Sequence, residues 1–166
     1  TPLQYGLGML MQSGSYFVGS VVVRWLLRRV GAASLMVPGL LLIAVGAAGL
    51  VVSIHALPLS FLSVMLPVGL CAFGIAFVTP YMMTAAVAPF PHVAGAAAAM
   101  MGFVQMASGL VGGMICAAIG APVFALQIVI PAFGLVAIVS YVVYAAAIRA
   151  RPLSDLITPA RAQPAE

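Results

Sequence analysis

Charge is what this sequence lacks. From Val30 to Ile148 there is no Asp, Glu, Lys or Arg, and the whole chain contains no lysine and only two acids, Asp155 and Glu166. Charged residues make up 5% of its 166 residues and hydrophobic residues 65%. A soluble domain keeps about a quarter of its residues charged, so an ordinary water-soluble fold is excluded and the solvent for Val30–Ile148 is lipid. Cysteine is also scarce. Cys71 and Cys116 each lie inside an apolar run, with no CxxC pair and no histidine nearby in sequence. A zinc framework is therefore not expected; a disulfide is left open with nothing to support it, and the plain reading is two buried thiols behaving as small hydrophobes. There is no nucleophile paired with a base and no phosphate-binding loop, because the glycines follow helix faces rather than a strand-to-helix turn. Enzymatic chemistry is therefore not expected, and neither a cofactor nor a metal is implied.

The net charge of +4 does not indicate nucleic acid. All six basic residues are arginines in two groups: Arg24, Arg28 and Arg29, then Arg149, Arg151 and Arg161. Both groups abut the ends of apolar runs, which is the pattern of cytoplasmic anchors and not of a groove tracking phosphates. No basic stretch precedes the first apolar run, so it is not a signal peptide.

A membrane helix needs roughly 20 mostly apolar residues. Turn signals divide the chain into five such spans, at about 5–27, 35–54, 61–87, 93–119 and 123–148, followed by a polar, proline-bearing tail at 149–166 that reads as disordered and cytoplasmic. The fold class is all-α and integral to the membrane. In the first span Gly8, Gln12, Ser15 and Gly19 recur at helical spacing and mark one small or polar strip. Arg24 and Trp25 follow where the helix should leave the hydrocarbon. Arg28-Arg29-Val30-Gly31 is expected to be a tight basic turn. The second span has no hydrogen-bonding side chain between Met36 and Val52 and reads as a featureless scaffold helix. The third contains Pro67 and Pro80, and Thr79, Tyr81 and Thr84 give its second half its polar groups. In the fourth, Gly95, Ala98, Gly102, Gln105, Gly109 and Gly112 alternate at three and four residues, all small but Gln105, and Gly109 and Gly113 form a GxxxG pair; such a seam suits close helix packing. The first and fourth spans, each a seam with one glutamine, would be counterparts in an inverted repeat of three helices.

Four spans separate the two arginine groups, so both lie on one side. The positive-inside rule makes that side the cytoplasm. The chain then starts outside the inner membrane and ends inside, with His55–Ser60 and Gly120–Pro122 external and Pro89–His92 internal. A chain with five spans that starts outside suits a protein whose front is not included here.

The run Ala88-Pro89-Phe90-Pro91-His92-Val93-Ala94-Gly95-Ala96-Ala97, continuing to Gly102 and Gln105, resembles the loop between helices ten and eleven of major facilitator superfamily drug:proton antiporters, closest to the bicyclomycin and chloramphenicol resistance (Bcr/CflA) branch. The Arg24…Arg28-Arg29-Val30-Gly31 segment resembles that family's loop between helices eight and nine. The five spans would then be helices eight to twelve of a twelve-helix fold, part of the C-terminal six-helix bundle. In that family Ser is often found at the positions of Ala96 and Ala98, Asn at that of Tyr81, and an acid where Arg28 stands.

The resemblance implies a secondary transporter that exports small drug-like molecules by alternating access. It also implies a central cavity lined by the first, third and fourth spans, with the second and fifth packed outside. Its partners would be the lipid bilayer, a small lipophilic substrate, and protons carried by a half not included here. The expected cavity residues are Gln12, Thr79, Tyr81, Thr84 and Gln105. Arg24, Arg28, Arg29, Gly31 and His92 would serve the cytoplasmic loops and gating. Plainer readings stand beside these: buried amides bonding between helices, threonines bonding their own helix, a tyrosine at the membrane interface, and a solvated His92. The different-class alternative is a structural or assembly membrane protein without transport. No span holds a carboxylate or lysine, so a proton-coupling acid is expected outside this segment.

Overall fold

The structure, a computed structural model, describes residues 2–56 and 60–149. Five long helices account for nearly all of it: α1 (Pro2–Val30), α2 (Ala32–Ala56), α3 (Phe61–Val87), α4 (Ala94–Ile119) and α5 (Pro122–Arg149), with a 3-10 turn at Pro91–Val93 before α4. In lipid every backbone polar group must be satisfied within the chain, and helices do this segment by segment. All five are long and apolar enough to cross a membrane. The tail expected at 149–166 lies, but for Arg149, outside the described residues, as does Pro58.

The turns are tighter than the sequence implies. Arg28 and Arg29 belong to the last turn of α1, and Gly31 alone separates α1 from α2, at φ 75°. The four-residue basic turn is thus one residue, because a single left-handed glycine reverses the chain without ending either helix early. Gly31→Ala forces a side chain into that conformation. It is expected to cost about 1–2 kcal/mol, readable as a lower melting temperature in detergent by circular dichroism. Gly120 closes α4 the same way at φ 71°, donating its N–H to the Cys116 carbonyl. Pro122 starts α5 instead of standing in the turn, since a missing N–H costs nothing in a first turn. Prolines also occur within α2 (Pro38) and α5 (Pro131), not only within α3.

α3 is the central helix, packed against α1, α2 and α4. Its contact with α2 is the closest in the chain. A Cβ added at Gly46 would lie 2.6 Å from Cys71 Sγ and 2.9 Å from the Pro67 carbonyl; one at Gly74 would lie 2.9 Å from the Gly39 carbonyl. The second span is therefore not featureless: its glycines are what let the two backbones meet. Without a hydrophobic force between helices in lipid, such approach supplies packing energy. Cys71 adds a weak bond by donating its S–H to the Ile43 carbonyl at 3.7 Å. The opposite side of α2 carries the exposed stripe Val37, Leu41, Val45 and Val52.

The α1 strip does pack. A Cβ on Gly8 would meet Met65 Sδ at 3.1 Å and one on Gly19 would meet Ala76 Cβ at 2.9 Å, while Ser15 lies over Gly69. The equivalent seam on α4 packs only at Gly112. A Cβ at Gly95, Gly102, Gly109 or Gly113 would meet nothing within 4 Å, and only Gly112 is buried, under Phe133 and Val129 of α5. At 100° per residue those four glycines share a face roughly a third of a turn away from the side of α4 that turns toward α3. The two helices that look like counterparts in sequence are thus used differently. Two apolar clusters close the interior: Val23, Leu35 and Phe77 near one end, and Leu50, Val64 and Val68 near the other.

Candidate functional site

A cleft of about 570 Å³ opens between the second half of α3 and the first half of α4. Met82 and Met83 line it from α3, Met100 and Met101 from α4, and Phe90 from the turn between them; Ile43 and Ala137 border it from α2 and α5. Among the described residues, the hydrogen-bonding side chains in its wall are Thr79 and Gln105. Thr79 Oγ1 donates to the Ile75 carbonyl of its own helix at 2.7 Å, so only its lone pairs face a guest. Gln105 is exposed and brings both an amide donor and an acceptor. The wall carries no charge. Such a lining suits an uncharged, mostly apolar molecule held by one or two hydrogen bonds, and four flexible thioethers allow it to vary in shape. It provides no group for moving a proton.

Three of the five expected cavity residues lie elsewhere. Gln12 lines a separate hollow of about 380 Å³ with Met9, Ser13 and Tyr16 of α1 and Ala72 and Ile75 of α3. Ile75 borders both hollows and stands between the two glutamines. Tyr81 turns toward α5, where it lines a hollow with Ser140, Tyr141 and Tyr144. Thr84 donates to the Pro80 carbonyl at 2.8 Å, satisfying an acceptor of its own helix.

The arginine-bearing end of α1 lies beside the end of α3, as the packing of Val23 and Leu35 on Phe77 requires. Arg24 and Arg28 are exposed there. The Arg29 guanidinium stacks over Trp25, 4.3 Å from the ring centroid, a cation–π contact suited to the headgroup level. His92 is exposed in the 3-10 turn at the same end, next to the mouth residue Phe90.

One polar contact is not among the sequence expectations. Gln127 of α5 is only 9% exposed, and its Nε2 lies 2.8 Å from Nε2 of His55, 72 residues away in the last turn of α2. The signal was present, a lone amide in an apolar span, the same feature that picked out Gln12 and Gln105. His55, placed by the sequence in an outer loop, belongs instead to helix α2. Among the described residues no three His, Cys, Asp or Glu side chains come together as a metal site would need.

Compared with known proteins, the chain matches no family, no curated protein and no solved structure.

Proposed function

We propose that this chain is the C-terminal part of a major-facilitator-type transporter, of the drug:proton antiporter kind, that exports small, partly apolar molecules by alternating access. Helices α1 to α5 are then helices eight to twelve of twelve. The observation that carries the reading is the uncharged cleft between α3 and α4. It joins Thr79 and Gln105, two of the residues singled out as cavity candidates, with four methionines. In the orientation set by the arginines, the cleft lies in the cytoplasmic half of an inner membrane, where an exporter collects its substrate. The described helices contain no carboxylate, so the coupling acid sits in a preceding half.

A second reading draws on the open glycine face of α4, which would suit a structural or assembly protein that docks another helix there. The experiment is to recover the full reading frame and express it in a bacterial strain without efflux pumps. Six or seven further spans, one holding an acid, together with raised resistance to lipophilic drugs, are the expected result. A start codon directly ahead of Thr1, or a full-length protein giving no resistance and no efflux of lipophilic dyes, favours the structural reading.

A further inference from the structure

Two hollows meet at one side chain. Ile75 stands near the middle of α3, half exposed, and borders both the α3–α4 cleft and the smaller hollow between α1 and α3. On either side of it stand two glutamines, Gln12 near the middle of α1 and Gln105 near the middle of α4. α3 packs against both of those helices. Packed helices lie about 8–10 Å apart, so the two amides are within about 20 Å of each other, inside the reach of one elongated small molecule.

The hollows differ in character. Among the described residues, Gln12, Ser13 and Tyr16 are three of the six that line the α1 hollow, whereas Thr79 and Gln105 are the two polar ones of the fourteen that line the cleft. Gln12, Ser13 and Tyr16 fall within about 100° of one another around α1 and so share a face. Among the described residues none bonds their side chains; what Tyr16 contributes to a bond is its backbone carbonyl, which accepts from Ser20 Oγ. From Gln12 to Arg24 the helix rises about 18 Å, a little over half of a hydrocarbon core of about 30 Å. An amide and two hydroxyls therefore stand with free donors and acceptors deep in the membrane, where acyl chains offer them nothing. Polar groups so placed mark a cavity or a pathway.

We propose that the two hollows are two parts of one binding site, divided by Ile75, for elongated uncharged amphipaths. The apolar body fills the methionine-lined cleft. A tail bearing an amide or a hydroxyl crosses Ile75 to Gln12, Ser13 and Tyr16. This deepens the transport reading and rests on it, because it takes the cleft as the guest site. Ile75 then sorts guests by shape: a compact apolar molecule uses the cleft alone, and one with a polar tail gains bonds from α1. A guest amide donates to Gln12 Oε1 and accepts from the Ser13 or Tyr16 hydroxyl.

The test compares two neutral probes, pyrene and N-(2-hydroxyethyl)-1-pyrenebutanamide, the second being the same ring with an amide tail that ends in a hydroxyl. Their affinities for the chain in nanodiscs are read by equilibrium dialysis against empty nanodiscs of the same lipid. The ratio of tailed to plain affinity is expected to fall about fivefold in Gln12→Leu, the effect of about one neutral hydrogen bond. Tyr16→Phe, which removes a single oxygen, is expected to lower the same ratio. Ala97→Trp, which obstructs the cleft, is expected to weaken both probes tenfold or more. A ratio unchanged in both Gln12→Leu and Tyr16→Phe overturns the two-part site while leaving the cleft as the guest site. Pyrene that does not bind the wild type, or that binds Ala97→Trp undiminished, fails the cleft reading itself and the proposal with it. Should Gln12→Leu fail to fold, Tyr16→Phe decides.

Discussion

Gly46→Val is expected to lower the stability of the bundle by on the order of 3 kcal/mol, the upper part of the range for overpacking a closed interface. A Cβ there would lie 2.6 Å from Cys71 Sγ, 2.9 Å from the Pro67 carbonyl and 3.0 Å from the Cys71 backbone nitrogen. Two of these three neighbours are backbone atoms and cannot rotate away. α2 must therefore back off α3, and the Gly39–Gly74 approach opens with it. Gly109→Ala supplies the contrast. Its added methyl meets nothing within the chain, and alanine is the better helix former by about 1 kcal/mol, so that variant is expected to melt no lower than the wild type. Thermal unfolding in detergent, followed by circular dichroism, reads both. Equal losses in the two variants would overturn this, because they would mean that the close α2–α3 approach at Gly46 weighs no more than the open face at Gly109.

Ala97→Trp is expected to abolish binding of lipophilic guests, with a loss of tenfold or more in affinity, equivalent to about 1.4 kcal/mol or more. Ala97 lines the α3–α4 cleft, and an indole in its place would fill much of a volume of about 570 Å³. The measurement is quenching of a neutral lipophilic dye on the chain in nanodiscs. Gln12→Leu is the control. Gln12 lines the separate hollow on the other side of Ile75, so its loss is expected to leave dye binding unchanged. If the Gln12 change weakens binding as much as the Ala97 change, the α3–α4 cleft is not the guest site.

Some of the candidate site was legible in the sequence and some was not, for a reason visible in particular residues. Thr79 and Gln105 stand out as polar groups in apolar spans, and both reach the cleft. Tyr81 and Thr84 stand out equally, yet one turns to Tyr144 and the other bonds its own helix. Polarity in a span signals that a partner is needed; it does not say whether the partner is a guest, a neighbouring helix or the residue's own backbone. The methionines work the other way. Ten methionines spread through apolar spans suit packing and adaptable ligand contact equally, yet four of them converge on one cleft because α3 and α4 run side by side away from Phe90.

By itself the sequence determined that this chain is five apolar helices, one of them bounded as the turn signals place it (Phe61–Val87), and that arginines mark the ends of the first and last. Those properties are local: lipid leaves the backbone no partner but itself, so length and hydropathy are enough to specify a spanning helix. Only the tertiary structure decided which glycine seams are used, that Ile75 separates Gln12 from Gln105, and that His55 meets Gln127 across 72 residues. In water an apolar face identifies itself as the buried one. In lipid every face is apolar, so the helical period shows which residues share a face, and only the arrival of a neighbouring helix decides which face is covered.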